Sequence, residues 1–272
     1  MKHWLLSGLF IGGFALFVLQ TTPGSQAQES MAVVEPEPEY TFEFSALPTI
    51  SAKSFLVFDI ETGEVVFGDD IHTPRPIASV TKLFTASAAE EGIQLEQKTV
   101  ISQADVDAEG RAGKLSAGEE YSYRELLFPL LLESSNDAAS VFEKVVDKVP
   151  ETKTVLADAS GLSSKNQASA ADLADDLNML YHEHRHVFDI TTLKQYVGED
   201  IEWVNNSPVR DLPGYKGGKH GYTEAANRTL VAVFEEEKVG DREFGYVLLG
   251  SNDIRSDLLA LRETLVNSAR LE

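Results

Sequence analysis

The sequence predicts an α/β protein in which one antiparallel sheet is built from both ends of the chain, with an all-helical insertion beside it. Strand-like apolar runs occupy Ser54–Asp59 and Glu64–Gly68, and similar runs return at Leu230–Phe234 and Phe244–Leu249. The residues between these two pairs carry apolar side chains at helical spacing. Because strands lie at both ends and helices between them, the two ends are expected to share one sheet.

Each element follows from a local pattern. The first two strands flank Glu61-Thr62-Gly63, where the glycine permits a tight bend. Helical spacing extends over Val80–Glu91, Tyr123–Val149 and Ala170–His184, and it returns in the tail Asp253–Leu271. We therefore expect a helical subdomain in the middle of the chain and one further helix at its end.

Residues 1–27 predict export. Lys2 and His3 precede the apolar run Trp4–Leu19, and Ser25-Gln26-Ala27 fits a small-x-small cleavage site. We expect a signal peptide, with an uncleaved membrane anchor as the alternative, and an extracytoplasmic location for the rest of the chain. The chain has no cysteine, so it offers neither a disulfide, a thiol nucleophile nor a thiolate zinc site.

The residues after this segment divide into a linker and one folded domain. Residues 28–45 carry Glu-Pro repeats without an apolar period, which predicts an extended linker. Residues 46–272 are long enough to bury a substantial core. The formal net charge is −21, with 44 acidic and 23 basic residues, and this excess of negative charge excludes nucleic acid as a partner.

The stretch "PIASVTKLFTA" places Ser79 three residues before Lys82 at the start of an apolar helix. Residues three apart share one helical face, so the two side chains are within reach of each other. A serine nucleophile needs such a base, and burial lets a lysine be neutral and therefore basic. A helix start at Ser79 also leaves its backbone N–H free to stabilise an oxyanion. The alternative is that Ser79 caps the helix and Lys82 is solvated, although a capping box favours Glu or Gln at position 82.

Two further short motifs carry polar groups next to apolar elements. Ser134-Ser135-Asn136 follows the apolar run "LLFPLLLE", which predicts a hydroxyl and a carboxamide at a helix-to-loop junction. Lys219-His220-Gly221 heads a predicted strand, where glycine permits close approach of a ligand to the backbone. Each motif alone is more typical of a cap, a turn or a solvated charge than of a site.

Taken together and in this order, the motifs resemble those of the penicillin-binding proteins that act as serine D-alanyl-D-alanine carboxypeptidases, a low-molecular-mass, peptidase S11-like class with Ser-x-x-Lys, Ser-x-Asn and Lys-Thr-Gly motifs. The likeness extends from Ser51 to Leu271 and includes "DASGL" and "SAADLA". It implies a three-layer sandwich of the serine β-lactamase type, with residues 46–272 as the catalytic domain. It also implies peptidoglycan stem peptides as substrates, β-lactams as covalent inhibitors and no cofactor.

The resemblance implies a role for each motif residue. Ser79 would be the nucleophile, Lys82 its general base and Ser134 a relay of the proton to the leaving D-alanine. Asn136 would orient these groups and contact the substrate amide. Lys219 would set the electrostatic field and help to anchor the terminal carboxylate. The remaining oxyanion donor beside Ser79 would be the backbone N–H of Tyr222.

The chain departs from the family pattern at two points. His220 stands where the family usually has threonine, so an imidazole replaces a carboxylate-binding hydroxyl. We expect His220 to be mostly neutral near pH 7, because the nearby lysines oppose its protonation. The sequence also ends just after the last predicted helix, so any membrane attachment is expected to be N-terminal.

Four other functions are weighed against hydrolysis of a terminal D-alanine. A DD-endopeptidase or a β-lactamase would use the same fold, but Ala174 in "ADDLN" stands where a class A β-lactamase has its deacylating glutamate. A catalytically inactive wall-binding module is disfavoured by the intact serines and lysine. The remote alternative is a zinc hydrolase, because His182 and His186 have the spacing of two ligands on one helical face, with Glu183 as base.

Overall fold

The computed structural model describes residues 40–110, 113–146, 151–198 and 201–271. The predicted signal peptide, residues 1–27, and the first part of the predicted linker lie outside the described residues.

The described residues form strands and helices in the order that the sequence patterns predict. The strands are β1 Tyr40–Phe42, β2 Ser54–Asp59, β3 Val65–Asp69, β4 Arg75–Pro76, β5 Lys98–Val100, β6 Glu120–Ser122, β7 Gln167–Ala168, β8 Gln195–Val197, β9 Glu202–Val204, β10 Tyr215–Thr223, β11 Asn227–Glu236, β12 Arg242–Ser251 and β13 Ala269–Leu271. The helices are α1 Thr81–Gly92, α2 Gln103–Val106, α3 Tyr123–Leu132, α4 Asn136–Glu143, α5 Ala170–Glu183, α6 Arg185–Thr192 and α7 Ile254–Ser268, with 3₁₀ turns at Ala78–Val80 and Glu237–Val239.

The main sheet has five antiparallel strands in the order β10-β11-β12-β2-β3. Its central pairing joins β12 to β2, with Phe244 opposite Asp59 and Leu249 opposite Ser54. The sheet is therefore built from both ends of the folded chain, as the sequence predicts.

Both faces of the sheet are covered. Along β2, Leu56 and Phe58 pack into one apolar cluster with helices of the middle of the chain, including α1, α3 and α5. The alternate residues Phe55 and Val57 pack into a second cluster with α7. Side chains of a strand alternate between faces, so every residue of β2 is buried. The predicted three-layer α/β sandwich is confirmed.

Local bounds differ from the sequence prediction in several places. The predicted helix Tyr123–Val149 is divided into α3 and α4, because Ser134 between them has a left-handed φ of 60°. The predicted tail helix ends at Ser268, and β13 pairs with β1. Strand β1 lies in the segment that the sequence assigns to the linker, so folded structure begins by Tyr40 rather than at residue 46.

Within the described ranges, no helix is both long and apolar enough to cross a membrane.

Candidate active site

Ser79 lies in the 3₁₀ turn that leads directly into α1, one turn earlier than a regular helix start. The preceding residue, Ala78, has a left-handed φ of 49°, which is uncommon for a residue with a side chain. A Cβ at Gly161 would lie 2.0 Å from the carbonyl oxygen of Ala78, so only glycine fits there. The Thr81 hydroxyl donates to the same carbonyl at 2.8 Å. The nucleophile candidate is therefore held in a strained, closely packed turn, as is common at functional sites.

Lys82 is fully buried one turn after Ser79. Its Nζ lies 3.1 Å from the Ser79 hydroxyl, 2.8 Å from Oδ1 of Asn136 and 2.6 Å from the carbonyl oxygen of Ser160. Burial lowers the pKa of Lys82 from 10.5 to about 7, and the negative charge of Asp158 opposes that shift. Near neutral pH a large fraction of Lys82 is thus uncharged and able to accept a proton from Ser79.

The segment between α3 and α4 supplies Ser134 and Asn136. Ser135 caps α4 by accepting from the backbone N–H of Ala138 at 3.0 Å, and this fixes Asn136 as the first residue of the helix. The Asn136 amide donates to the carbonyl oxygens of Glu109 and Gly110, at 2.8 and 3.2 Å. Because its amide nitrogen donates to these carbonyls, the side chain of Asn136 is oriented with its oxygen toward Lys82.

Lys219 lies on the sheet side of the same cleft and is also buried. Its Nζ donates to the Ser134 hydroxyl at 3.0 Å and to the carbonyl oxygen of its neighbour His220 at 2.8 Å. Burial and the positive charge of Lys82 hold the pKa of Lys219 well below its ordinary value. Ser134 therefore lies between the helical wall of the cleft and the sheet wall.

The backbone of β10 provides hydrogen-bond donors at the open edge of the sheet, since this strand pairs only with β11. The N–H of Gly218 points away from β11 and donates to the hydroxyl of Thr191 at 2.9 Å. The carbonyl of His220 points the same way, toward Lys219. The two-residue period of a strand directs the N–H of Tyr222 to the same side.

Gly221 allows the open edge of β10 to pack closely against the backbone of Ser79. A Cβ at this position would lie 2.5 Å from the backbone nitrogen of Ser79 and 2.9 Å from Cβ of Ala78. The close approach requires glycine. It brings the edge of β10 next to the backbone nitrogen of Ser79, and the sequence prediction assigns the two oxyanion donors to Ser79 and Tyr222.

His220 is half-buried and lines a groove of about 540 Å³ next to the cleft. Burial, followed by the charges of Lys219 and Lys82, lowers the pKa of His220 to about 3. The direction of this shift agrees with the sequence prediction.

Sequence reasoning missed two basic residues in the same groove. Arg228 lies opposite Tyr222 in the β10–β11 pair, with its guanidinium 5.5 Å from the tyrosine ring. Arg255, in the first turn of α7, binds Asp211 through two hydrogen bonds of 2.6 and 3.0 Å. The sequence shows Arg255 at the start of the last predicted helix, which could have marked it as a candidate binding residue. Its position next to β10, however, follows only from the fold.

The zinc alternative loses its structural premise. Helix α5 ends at Glu183, and His184, between α5 and α6, has non-helical dihedral angles. His182 and His186 therefore lie on different helices rather than on one helical face. His182 contacts the carbonyl oxygen of Ile60 at 3.1 Å, and His186 lies 3.5 Å from Arg124.

Comparison with known proteins connects this cleft to a family. Residues 41–147 match the Peptidase_S11 family model, described as D-alanyl-D-alanine carboxypeptidase. The D-alanyl-D-alanine carboxypeptidase DacB2 of Mycobacterium tuberculosis is 29% identical over 209 residues, which cover 69% of this chain and 72% of that protein. A D-alanyl-D-alanine endopeptidase of Escherichia coli is 25% identical over 209 residues, which cover 68% of this chain and 67% of that protein.

The fold has close counterparts among solved structures. Penicillin-binding protein D2 of Listeria monocytogenes, in its cefotaxime-bound form, superposes with a TM-score of 0.70 at 21% identity, covering 79% of this chain and 97% of that one. The family model and the curated relatives agree with the motifs, and the fold agrees with that of the solved structures: this chain is similar to the D-alanyl-D-alanine carboxypeptidases of the peptidase S11 family.

Proposed function

We propose that this protein is a serine DD-peptidase that removes the terminal D-alanine from peptidoglycan stem peptides through an acyl-enzyme. The observation that carries the proposal is the pair formed by Ser79 and Lys82, whose side-chain atoms lie 3.1 Å apart. Because burial lowers the pKa of Lys82 to about 7, the lysine serves as a general base near neutral pH.

In the proposed acylation step, Lys82 takes the hydroxyl proton of Ser79 as the serine oxygen attacks the carbonyl carbon of the penultimate D-alanine. The oxyanion accepts hydrogen bonds from the backbone N–H groups of Ser79 and Tyr222. The amide C–N bond then breaks, and the leaving nitrogen receives a proton through the Ser134 hydroxyl. Water hydrolyses the resulting ester, which releases the shortened peptide and restores Ser79.

The terminal carboxylate is assigned to the sheet wall. Lys219 supplies positive charge there, and a bound carboxylate favours its protonated form. The neutral imidazole of His220 offers one N–H donor where the family has a hydroxyl. Arg228 lines the adjoining groove and adds positive charge there, whereas the charge of Arg255 in the same groove is paired with Asp211.

DD-endopeptidase activity on cross-links is the second candidate. The E. coli relative carries that description, as does a relative from Haemophilus influenzae that is 31% identical over 150 residues. The same nucleophile and oxyanion donors suit either bond. Mass analysis of purified muropeptides after incubation separates the two activities, because only endopeptidase cleavage converts cross-linked dimers into monomers.

The proposal extends to inhibitors and location. A β-lactam presents a strained amide to the same nucleophile, so we expect it to acylate Ser79. We also propose that residues 1–27 export the protein and that it acts outside the cytoplasm, either released or held by that segment. N-terminal sequencing of the mature protein separates the two cases: Gln28 supports cleavage, and Met1 or Lys2 supports an anchor.

The test of the function is covalent labelling by a fluorescent penicillin. We expect the natural protein to be labelled and Ser79→Ala to remain unlabelled, because the ester forms on the missing hydroxyl. Ser87→Ala is the matched control, since Ser87 is a buried serine farther along, in the helix α1 that follows the turn of Ser79. Label that persists in Ser79→Ala would refute the assignment.

A further inference from the structure

The loop that begins at Asp158 is held together by one carboxylate. Oδ1 of Asp158 accepts from the backbone N–H of Ser160 at 2.8 Å, from the Ser160 hydroxyl at 2.8 Å and from the backbone N–H of Gly161 at 2.6 Å. Oδ2 accepts from the backbone N–H of Ser163 at 2.8 Å and from the Asn166 amide at 2.9 Å. Five hydrogen bonds to a single side chain fix the path of this loop.

The same loop contacts the nucleophile and the base. The carbonyl oxygen of Ser160 accepts from Nζ of Lys82 at 2.6 Å, the shortest of the three hydrogen bonds that this lysine makes. One residue on, Gly161 packs against the carbonyl of Ala78, directly before Ser79. The geometry of the reacting pair therefore depends on the shape of the loop.

The charge of Asp158 acts on Lys82 without direct contact. All three acceptors of the lysine are neutral, and the charge of Asp158 raises the pKa of Lys82 against the effect of burial. Burial alone would raise the pKa of Asp158, but its hydrogen bonds lower it, so the carboxylate stays ionised near neutral pH.

The other charged or titratable groups around this pair come from two elements, β10 and α4. From β10 come Lys219 and His220, whose pKa values are lowered mainly by burial and further by the charge of Lys82. From α4, Asp137 is buried next to Asn136, and the pKa of Glu143 is raised by burial and by Asp158.

We propose that Asp158 is a positioning residue for the catalytic base: by holding its loop in shape, it keeps the Ser160 carbonyl against Lys82 and places a negative charge near that lysine. This role rests on the proposed function for its consequence in catalysis. The positioning of the Ser160 carbonyl and the charge of Asp158 have different effects on acylation. A change in loop geometry lowers the acylation rate at every pH, whereas a change in charge moves the pH at which the rate falls.

The test compares Asp158→Asn with the matched control Asp176→Asn. Asp176 is also a buried aspartate that holds a loop, accepting from the backbone N–H groups of Lys153 and Thr154 at 2.9 Å each. In the natural protein, acylation by a fluorescent penicillin is expected to fall as the pH is lowered through about 7, because Lys82 becomes protonated. Removing the charge of Asp158 lowers the pKa of Lys82, so this acid limb moves to lower pH.

For Asp158→Asn we expect the plateau rate to fall about 10- to 100-fold and the acid limb to move down by about half a pH unit or more. Asp176→Asn is expected to lower the melting temperature while leaving the limb in place. If Asp158→Asn has a lower plateau rate but an acid limb at the natural pH, the charge of Asp158 does not act on Lys82, and that part of the proposal is overturned. Unchanged kinetics would overturn the whole proposal.

Titration of ¹³C-labelled Lys82 by NMR provides a readout independent of activity. If Lys82 titrates at lower pH in Asp158→Asn while no penicillin labels the natural protein, the proposed function fails and the coupling stands. If labelling succeeds but the Lys82 titration is unmoved, the coupling fails and the function stands. If Asp158→Asn does not fold, Asp158→Glu is the test variant, because it keeps the negative charge but has a longer side chain. We then expect a lower plateau rate of acylation and an acid limb at the same pH as in the natural protein. A plateau rate equal to the natural one would contradict the positioning role.

Discussion

The two walls of the cleft each bury one lysine, but they surround it differently. On the helical wall, Lys82 has three neutral acceptors and the nearby charge of Asp158, which partly offsets burial. On the sheet wall, the acceptors of Lys219 among the described residues are a hydroxyl and a carbonyl, and the charge of Lys82 adds to burial in lowering its pKa. With similar burial, the two surroundings suit the two proposed roles: a base tuned to neutral pH on the helical wall and a cation that binds an anionic ligand on the sheet wall.

The largest expected effect comes from breaking the helical wall at its base. In Lys82→Arg the side-chain length is largely kept, but a guanidinium stays protonated, so it does not serve as a base. We expect acylation by a fluorescent penicillin to fall about 10²- to 10⁴-fold. Lys165→Arg, at an exposed position of the chain, is the control and is expected to keep the natural rate. A Lys82→Arg rate near that of the control would show that another group deprotonates Ser79.

An intermediate effect is expected where the two walls touch. In Gly221→Ala the new methyl group would lie 2.5 Å from the nitrogen of Ser79, so the edge of β10 and the nucleophile turn must separate. We expect acylation to slow about 10- to 100-fold. The control is Gly92→Ala at the end of α1, where an added Cβ meets nothing within 4 Å. Equal rates for the two variants would mean that the contact does not position the oxyanion donors.

The smallest effect is expected at His220 on the sheet wall. Because burial and two lysines lower the pKa of His220 to about 3, its ring stays neutral throughout the range in which the enzyme is assayed. We therefore expect KM for a peptide ending in D-alanine to differ only a fewfold between the natural protein and His220→Thr. The ratio of the two KM values is expected to be constant from about pH 5 to pH 8. A ratio that changes with pH would indicate that substrate restores the protonated ring.

The sequence alone predicts the parts of this site that depend on short spacing or alternation. Ser79 and Lys82 meet because three residues span one helical turn, and the sheet forms because its apolar strands are bounded by turns. The contact between the walls, which brings Lys219 to Ser134, followed from the family resemblance rather than from any local pattern.

Other features depend on backbone conformation or on distant packing. The predicted helix Tyr123–Val149 continues across Ser134, so the exact break there follows only from a backbone dihedral angle, whereas the predicted end at His184 lies within one residue of the end of α5. The pairing of Tyr40–Phe42 with Ala269–Leu271 joins three-residue segments from opposite ends of the folded chain, with no local signal for either. Asp158 appears within a quoted motif, but its effect on Lys82 requires the loop geometry.

The pairing of β2 with β12 also has a consequence for folding kinetics. These strands come from opposite ends of the folded chain, so their pairing closes a very long loop and is expected to be slow, whereas helices of the middle segment form through local contacts. Ser79 follows the first segment of the sheet and Lys219 belongs to the second, so the two walls of the cleft meet only when that loop closes. During refolding, reactivity toward penicillin would therefore appear after helical circular dichroism has recovered, and it would report closure of the sheet.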